Sequence, residues 1–163
     1  MYASRQDLLR RFGPKLLADL AGRTPGVRLT AEMIETAIEG GDTSIYTQEE
    51  QKAIADALAV IDEALEDADA EIAPYLQVRY TLPLPSVPRL LVNVAADLAA
   101  WRLLRGRQDE GLRQRYEDAI AILRRINRGE LELGLDSAQQ PVESPPQKPQ
   151  YLKRDRTFDL NGY

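Results

Sequence analysis

Residues 65–104 read LEDADAEIAPYLQVRYTLPLPSVPRLLVNVAADLAAWRLL, and this stretch decides the fold. An acidic, helix-favouring segment runs into Tyr75 and then meets three closely spaced prolines, Pro83, Pro85 and Pro88. Proline lacks the N–H that a helix interior requires, so the first helix must end before this group. An apolar helix follows, with Pro88 in its first turn. The stretch therefore predicts a rigid elbow between two long helices.

The helix that leads into the elbow is marked by its cap and by its period. Thr47 and Glu50 have the spacing of a capping box, in which each side chain bonds the other residue's backbone N–H. Apolar residues then recur at alternating spacings of four and three, which is a heptad seam. The seam consists of Ile54, Leu58, Ile61, Leu65, Ala68, Ile72 and Tyr75. At a rise of 1.5 Å per residue, this helix should be about 45 Å long.

Caps and apolar stripes predict the remaining helices. Ser4 caps a short helix through Phe12, Gly13 and Pro14 start another, and Thr30 caps a helix over residues 31–39. After the elbow, Leu91, Val94, Leu98 and Trp101 form one stripe; after Asp109, the stripe is Leu112, Tyr116, Ala119, Leu123 and Ile126. The predicted fold is therefore an all-α bundle with short amino-terminal helices, two long helices joined by a proline-rich elbow, and an extended carboxyl-terminal tail.

The composition lowers the expectation of catalysis. The 163 residues include no histidine and no cysteine, so imidazole bases, thiolate nucleophiles and disulfides are excluded. No spacing of carboxylates resembles a calcium loop, and no phosphate-binding loop is present. We therefore predict that the protein is not an enzyme and has no catalytic residues, no metal site and no cofactor. The absence of a long apolar run predicts no association with membranes.

The carboxyl-terminal residues differ in composition from the rest of the chain. The segment SAQQPVESPPQKPQ has four prolines in fourteen residues, which predicts an extended linker. The residues beyond it carry several apolar and basic side chains, and a segment of this kind either docks on a neighbouring molecule or folds back on its own domain. The predicted docking residues are Tyr151, Leu152, Arg154, Arg156, Phe158, Leu160 and Tyr163. We predict a helical domain at 1–134 and a linker with a docking tail at 135–163.

Charge is divided unevenly along the chain, whose net charge is −5. Residues 49–71 contain nine acids against one lysine, whereas residues 102–128 contain eight arginines against four acids. Three interpretations remain open for these arginines: solvated helix faces, pairing between adjacent copies in a ring, or loose contact with passing DNA. The arginines are Arg102, Arg105, Arg107, Arg113, Arg115, Arg124, Arg125 and Arg128.

Three side chains beside the prolines need their own interpretation. Tyr75 and Tyr80 are predicted to pack in the elbow, where each hydroxyl requires a partner if buried. Arg79 has two interpretations. It either bonds the free carbonyls at the end of the long helix or pairs with another subunit.

These motifs resemble the small head–tail connector, or adaptor, proteins of Mu-like phages and prophages. The elbow carries the pattern A-x-x-E-I-x-x-Y-L-x-x-R-Y-x-L-P-L-x-x-V-P at Ala68, Glu71, Ile72, Tyr75, Leu76, Arg79, Tyr80, Leu82, Pro83, Leu84, Val87 and Pro88. The amino terminus adds D-L-x-x-R-F-G at Asp7, Leu8, Arg11, Phe12 and Gly13, and the arginine-rich, aromatic ending at 154–163 also agrees. Residues 24–50 look longer than the family pattern and are expected to be an insertion.

The resemblance implies a structural protein of the virion neck, present in the host cytoplasm during assembly. Such adaptors are helical subunits, typically twelve in a ring beneath the portal, with DNA passing through the ring. Their expected partners are further copies of the chain, the portal protein, and a tail-completion or other neck protein. The carboxyl-terminal tail would dock on the portal or a neighbouring subunit. The alternative is a small helical binding module or regulator that acts as an oligomer.

Overall fold

The computed structural model describes residues 1–134, which form five α-helices. They are α1 (Arg5–Ala21), α2 (Ala31–Glu39), α3 (Gln48–Gln77), α4 (Arg89–Leu104) and α5 (Glu110–Arg128). No strand occurs within residues 1–134. The predicted all-α class is therefore confirmed.

Most of the helix starts follow from side-chain caps that the sequence predicts. The Thr47 N–H donates to the Glu50 carboxylate over 2.9 Å, and the Glu50 N–H donates to the Thr47 hydroxyl over 3.3 Å. Thr30 caps α2 and Asp109 caps α5 in the same way, each accepting from the backbone N–H three residues ahead. Each such cap stabilises its helix by about 1 kcal/mol.

A kink at Gly13 divides α1 into two helical segments. Gly13 has a φ of 77°, which is in the left-handed region, and the next residue is Pro14. Proline cannot donate a helical hydrogen bond, and glycine adopts positive φ without steric cost. The prediction that one helix ends at Gly13 and another starts there is therefore confirmed, because the non-helical Gly13 separates two helices within Arg5–Ala21.

The elbow occupies residues 78–88, between α3 and α4, and it differs from the prediction at one proline. Pro88 is the extended residue immediately before α4, with a ψ of 145°, and does not lie in the first turn. The prediction that placed Pro88 inside the helix is wrong by one residue, because α4 begins at Arg89. Upstream, α3 accommodates Pro74 within its last turns and continues to Gln77. The peptide bond between Leu82 and Pro83 is cis.

The central helix is α4, which packs against α1, α3 and α5. From Val94 to Ala100 every residue is buried, and four of these seven are alanines. Small side chains on all sides allow three neighbouring helices to approach closely. The predicted seam of α3 lies in the same core, with Ile61 and Ile72 fully buried.

Residues 31–39 also belong to this core. Met33 and Ile34 of α2 are buried, and α2 packs on α1 and on α3. Whether residues 24–50 are an insertion relative to the family stays a prediction, as does the division at residue 134.

Candidate assembly surface

The elbow is bonded to the last described residues of the chain. The backbone N–H of Leu133 donates to the Tyr80 hydroxyl over 3.2 Å, and Leu133 is buried. Asn127 near the end of α5 donates from its amide to the Tyr75 carbonyl over 3.3 Å. The elbow and the end of α5 therefore form one corner, which holds the last described residues up to Gly134.

Arg79 lies across the end of α5. Gly129 ends that helix with a φ of 75°, and a Cβ added there would overlap the Arg79 guanidinium. The predicted bond from this guanidinium to the free carbonyls of α3 is not found within residues 1–134. The Leu76 carbonyl accepts instead from the backbone N–H groups of Arg79 and Tyr80, each over 2.9 Å. The side chain of Arg79 thus belongs to the contact between the elbow and α5.

The predicted docking residues of the tail lie outside the described residues. They are Tyr151, Leu152, Arg154, Arg156, Phe158, Leu160 and Tyr163. Their proposed role stays a prediction.

Six of the eight arginines singled out in the sequence bond to other groups of the same chain. Arg102 pairs with Glu71 over 2.7 Å, and Arg105 pairs with Glu63 over 3.1 Å, so both join α4 to α3. The other four bonded arginines contact the Asp19 carbonyl (Arg107), Glu110 and Glu117 (Arg113), Asp97 (Arg115) and Glu130 (Arg128). Within residues 1–134, Arg124 and Arg125 form no salt bridge.

A small polar network around Glu71 joins α3, α4 and α5. This carboxylate accepts from Arg102 and, over 3.0 Å, from the Tyr116 hydroxyl. The hydrogen bond to Glu71 is the largest effect that raises the pKa of Arg102. Burial, followed by the bond to Glu71, raises the pKa of Tyr116. The Tyr116 ring also stacks on Trp101, with 5.2 Å between the ring centroids.

A second network, at the junction of α1, α4 and α5, was not anticipated from the sequence. Asp97 is the one buried charged residue within residues 1–134, and it accepts two hydrogen bonds from Arg11, of 2.8 and 2.6 Å. Arg115 approaches the same carboxylate to 3.9 Å, and both guanidiniums lie within 6 Å of the Phe12 ring centroid. The sequence signal that could have indicated this network is Asp97 itself, an acid within the otherwise apolar run of α4. Its partner could not be read from the sequence, because Arg11 lies 86 residues away.

Other carboxylates of α3 differ in whether a group of the same chain bonds them. Asp62 is bonded to Arg5, and Asp69 accepts from the Tyr2 backbone N–H over 2.8 Å. In contrast, Glu66 and Asp67 are exposed and form no salt bridge within residues 1–134. The acidic half of the charge pattern is thus only partly neutralised inside the chain.

The described residues contain neither a cluster suited to a metal nor a helix that could span a membrane. Across residues 1–134, no group of three or more acids is arranged to hold an ion. No helix in that part of the chain is long and apolar enough to cross a membrane.

Comparison with known proteins places the chain in a phage family. Residues 2–150 match the family described as Bacteriophage Mu, Gp36. The chain is 31% identical to the Mu-like prophage FluMu protein gp36 of Haemophilus influenzae over 144 residues, which are 88% of this chain and 83% of that protein. It is also 34% identical to Gene product J of Escherichia phage Mu over 79 residues, which cover 48% of this chain and 56% of that protein. The chain therefore belongs to the bacteriophage Mu Gp36 family, as its elbow and amino-terminal motifs indicate.

Proposed function

We propose that this phage protein is a structural head-to-tail adaptor, without enzymatic activity, that forms an oligomeric ring under the portal. The observation that carries the proposal is the corner formed by the elbow and the end of α5. Tyr80 anchors Leu133 at this corner, so the last described residues are fixed on the helical body. A subunit built in this way can hold its place in a ring while its terminal residues reach a second protein.

Two further features support an assembly role. The relatives are proteins of phage Mu and of a Mu-like prophage, and such genomes encode a virion that needs a joint between head and tail. In addition, the helices carry unpaired charge on exposed faces, which suits subunit association more than small-molecule chemistry. The proposed location is the virion neck, reached from the host cytoplasm during assembly, with DNA passing through the ring.

Within this proposal, the tail docks on the portal or on a neighbouring subunit. A terminus that orders only on its partner would pay its entropy cost at that step, which discourages rings without a portal. The outer surface would receive a tail-completion or other neck protein.

The decisive test combines the full-length chain with its cognate portal protein. We expect a ring-shaped complex by electron microscopy, and a mass by mass photometry that corresponds to many copies of the chain. A variant that lacks residues 136–163 should lose binding to the portal while keeping the helical content and unfolding temperature of the intact chain.

Two results would contradict the proposal in different ways. If the intact chain never enters a large complex with the portal, and stays bound to some other phage or host protein, the regulator alternative is correct. If the truncated chain binds the portal as well as the intact chain does, the adaptor assignment survives and the docking role of the tail is wrong.

A further inference from the structure

Two pairs of adjacent charged residues lie one in each half of the charge pattern. Glu66 and Asp67 form an acidic doublet on α3, and Arg124 and Arg125 form an arginine doublet on α5. All four side chains are exposed, and none forms a salt bridge within residues 1–134. By contrast, Glu63 beside the acidic doublet is already paired with Arg105. Asp67 and Arg125 lie within electrostatic range of Arg102 and Glu130, but neither doublet is bound by an ion pair of its own. Both doublets therefore remain able to bind a partner.

Helix geometry places both doublets at the centre of an outward-facing surface. Consecutive residues of a helix are 100° apart, so two adjacent exposed residues straddle the outward line of their helix. An exposed alanine lies one turn away from each doublet: Ala70 follows the acidic doublet, and Ala121 precedes the arginine doublet. If the two helices ran antiparallel with the doublets opposed, these alanines would also be opposed. Their small side chains would let the helices approach closely.

The sign of the charges determines which faces can meet. Contact of α3 with α3, or of α5 with α5, would oppose like charges, which is unfavourable. Only a contact between α3 of one copy and α5 of another brings opposite charges together. Made in one direction around a series of subunits, this contact is heterologous, and its repetition closes into a ring when the rotation between subunits allows it. Made reciprocally between two copies, it would stop at a two-fold dimer.

We infer that the acidic doublet of each subunit binds the arginine doublet of the next subunit, and that this contact, repeated, closes the ring. The inference rests on the proposed function, because it names the interface of the ring proposed above. It assigns Arg124 and Arg125 to a second copy of this chain and not to DNA.

Cross-linking in assembled particles tests the contact directly. The chain contains no cysteine, so the double variant Glu66→Cys with Arg124→Cys carries only the two introduced thiols. Oxidation of particles that contain this full-length variant should give a ladder of covalent multimers on a non-reducing gel. A ladder is expected because each subunit of a ring offers one thiol to each of its two neighbours. Cross-linking that stops at the dimer would contradict the inference, because it would indicate a reciprocal two-fold contact.

Three controls make the ladder specific. Each single-cysteine variant should stay monomeric after oxidation. The pair Lys15→Cys with Arg28→Cys, at exposed positions on α1 and in the loop that follows it, should also give no ladder. If wild-type rings are present but the paired variant gives no ladder, this interface is wrong and the ring remains. If wild-type particles contain no ring, the proposed function fails and the inference fails with it.

A charge exchange provides a second, independent test. Replacing Arg124 and Arg125 by glutamate should lower the yield of rings by about tenfold or more, because two attractive contacts become repulsive at every junction. Replacing Glu66 and Asp67 by lysine should have a similar effect. The four replacements together restore opposite charges at every junction, and they should return the yield to within about threefold of wild type.

The matched control for this exchange is Lys15→Glu with Arg28→Glu, which makes the same change in net charge elsewhere. It should leave the ring yield unchanged. If both two-residue reversals remain folded by circular dichroism and still form rings, the inference is overturned. A combined variant that is folded but no better assembled than either reversal also overturns it. Loss of DNA retention without loss of rings would instead assign the arginine doublet to DNA.

Discussion

The arginines packed around α4 form salt bridges within the subunit, whereas Arg124 and Arg125 near the end of α5 form none within residues 1–134. Arg11, Arg102 and Arg105 each pair with a carboxylate on another helix, so they join helices within one subunit. Arg124 and Arg125 lie on the outer face of α5 and form no salt bridge within residues 1–134. A count of charges along the sequence treats these arginines alike. The fold separates those that stabilise the subunit from those available to a partner.

The largest expected effect is the loss of the buried carboxylate of Asp97. Asp97→Ala would leave the partly buried guanidinium of Arg11 without its partner. We expect the free energy of unfolding to fall by about 3 kcal/mol, as for other broken buried ion pairs. Chemical denaturation would measure this change, with Asp118→Ala on the exposed face of α5 as the control. A loss below about 1 kcal/mol would mean that the junction of α1, α4 and α5 does not depend on this pair.

A smaller loss of stability is expected when the hydrogen bond from Leu133 to Tyr80 in the elbow is removed. Tyr80→Phe removes the hydroxyl that accepts the Leu133 N–H, which should cost about 1 kcal/mol and speed amide hydrogen exchange at Leu133. The matched control is Tyr46→Phe, because the buried Tyr46 hydroxyl has no hydrogen-bond partner in the described part of the chain. That control should leave stability unchanged or raise it slightly. Equal losses in the two variants would show that the ring packing of Tyr80 matters more than its hydroxyl.

The exposed pair between Arg105 and Glu63 should contribute still less. Both side chains are more than half exposed, at 57% and 63%, and water and salt screen such pairs. Arg105→Gln should lower the unfolding free energy by less than about 1 kcal/mol, and the difference should shrink further in high salt. Thermal unfolding at low and high salt would measure it. A loss as large as that of Asp97→Ala would remove the distinction drawn here between buried and exposed pairs.

The smallest change is expected between about pH 5.5 and about pH 7, because the chain has no histidine to titrate there. Each described carboxylate whose pKa is shifted has a pKa below its ordinary value. Hydrogen bonds from the Thr47 backbone and hydroxyl lower the pKa of Glu50, and the bond from Arg113 lowers the pKa of Glu110. A carboxylate whose pKa is lowered by folding stabilises the fold at pH values above its pKa in the unfolded chain. This contribution is lost as the pH falls through its pKa in the folded chain. Unfolding temperatures should therefore be flat near neutrality and should fall in acid.

Local signals in the sequence predicted the helices well. Thr30, Thr47 and Asp109 mark helix starts through bonds that span only three residues, so no tertiary information is needed to find them. The kink at Gly13 is equally local. In contrast, the partner of each arginine depends on which helices become neighbours. Glu71 accepts from Arg102 on α4 and from Tyr116 on α5, and no spacing in the sequence specifies that combination.

The elbow could be predicted only in part from the sequence. Its prolines predict that α3 must end, but they do not show that Tyr80 and Arg79 contact the far end of α5. Those contacts join residues about fifty positions apart and follow from the packing of α5 along α3. The sequence therefore predicts the joint, whereas the anchoring of Leu133 had to be found in the structure.

The contacts of α1 have a consequence for the order in which the helices fold. Arg5 and Arg11 bond to partners 57 and 86 positions away, and beyond Gly13 the Asp19 carbonyl accepts from Arg107, 88 positions away. α1 as a whole also packs on α2, which follows it closely in sequence. Contacts between segments close in sequence cost less loop-closure entropy. We therefore expect α1 and α2 to acquire amide protection together and early in pulse-labelled refolding. The bonds of Arg5, Arg11 and Asp19 should form only when α3, α4 and Arg107 are in place.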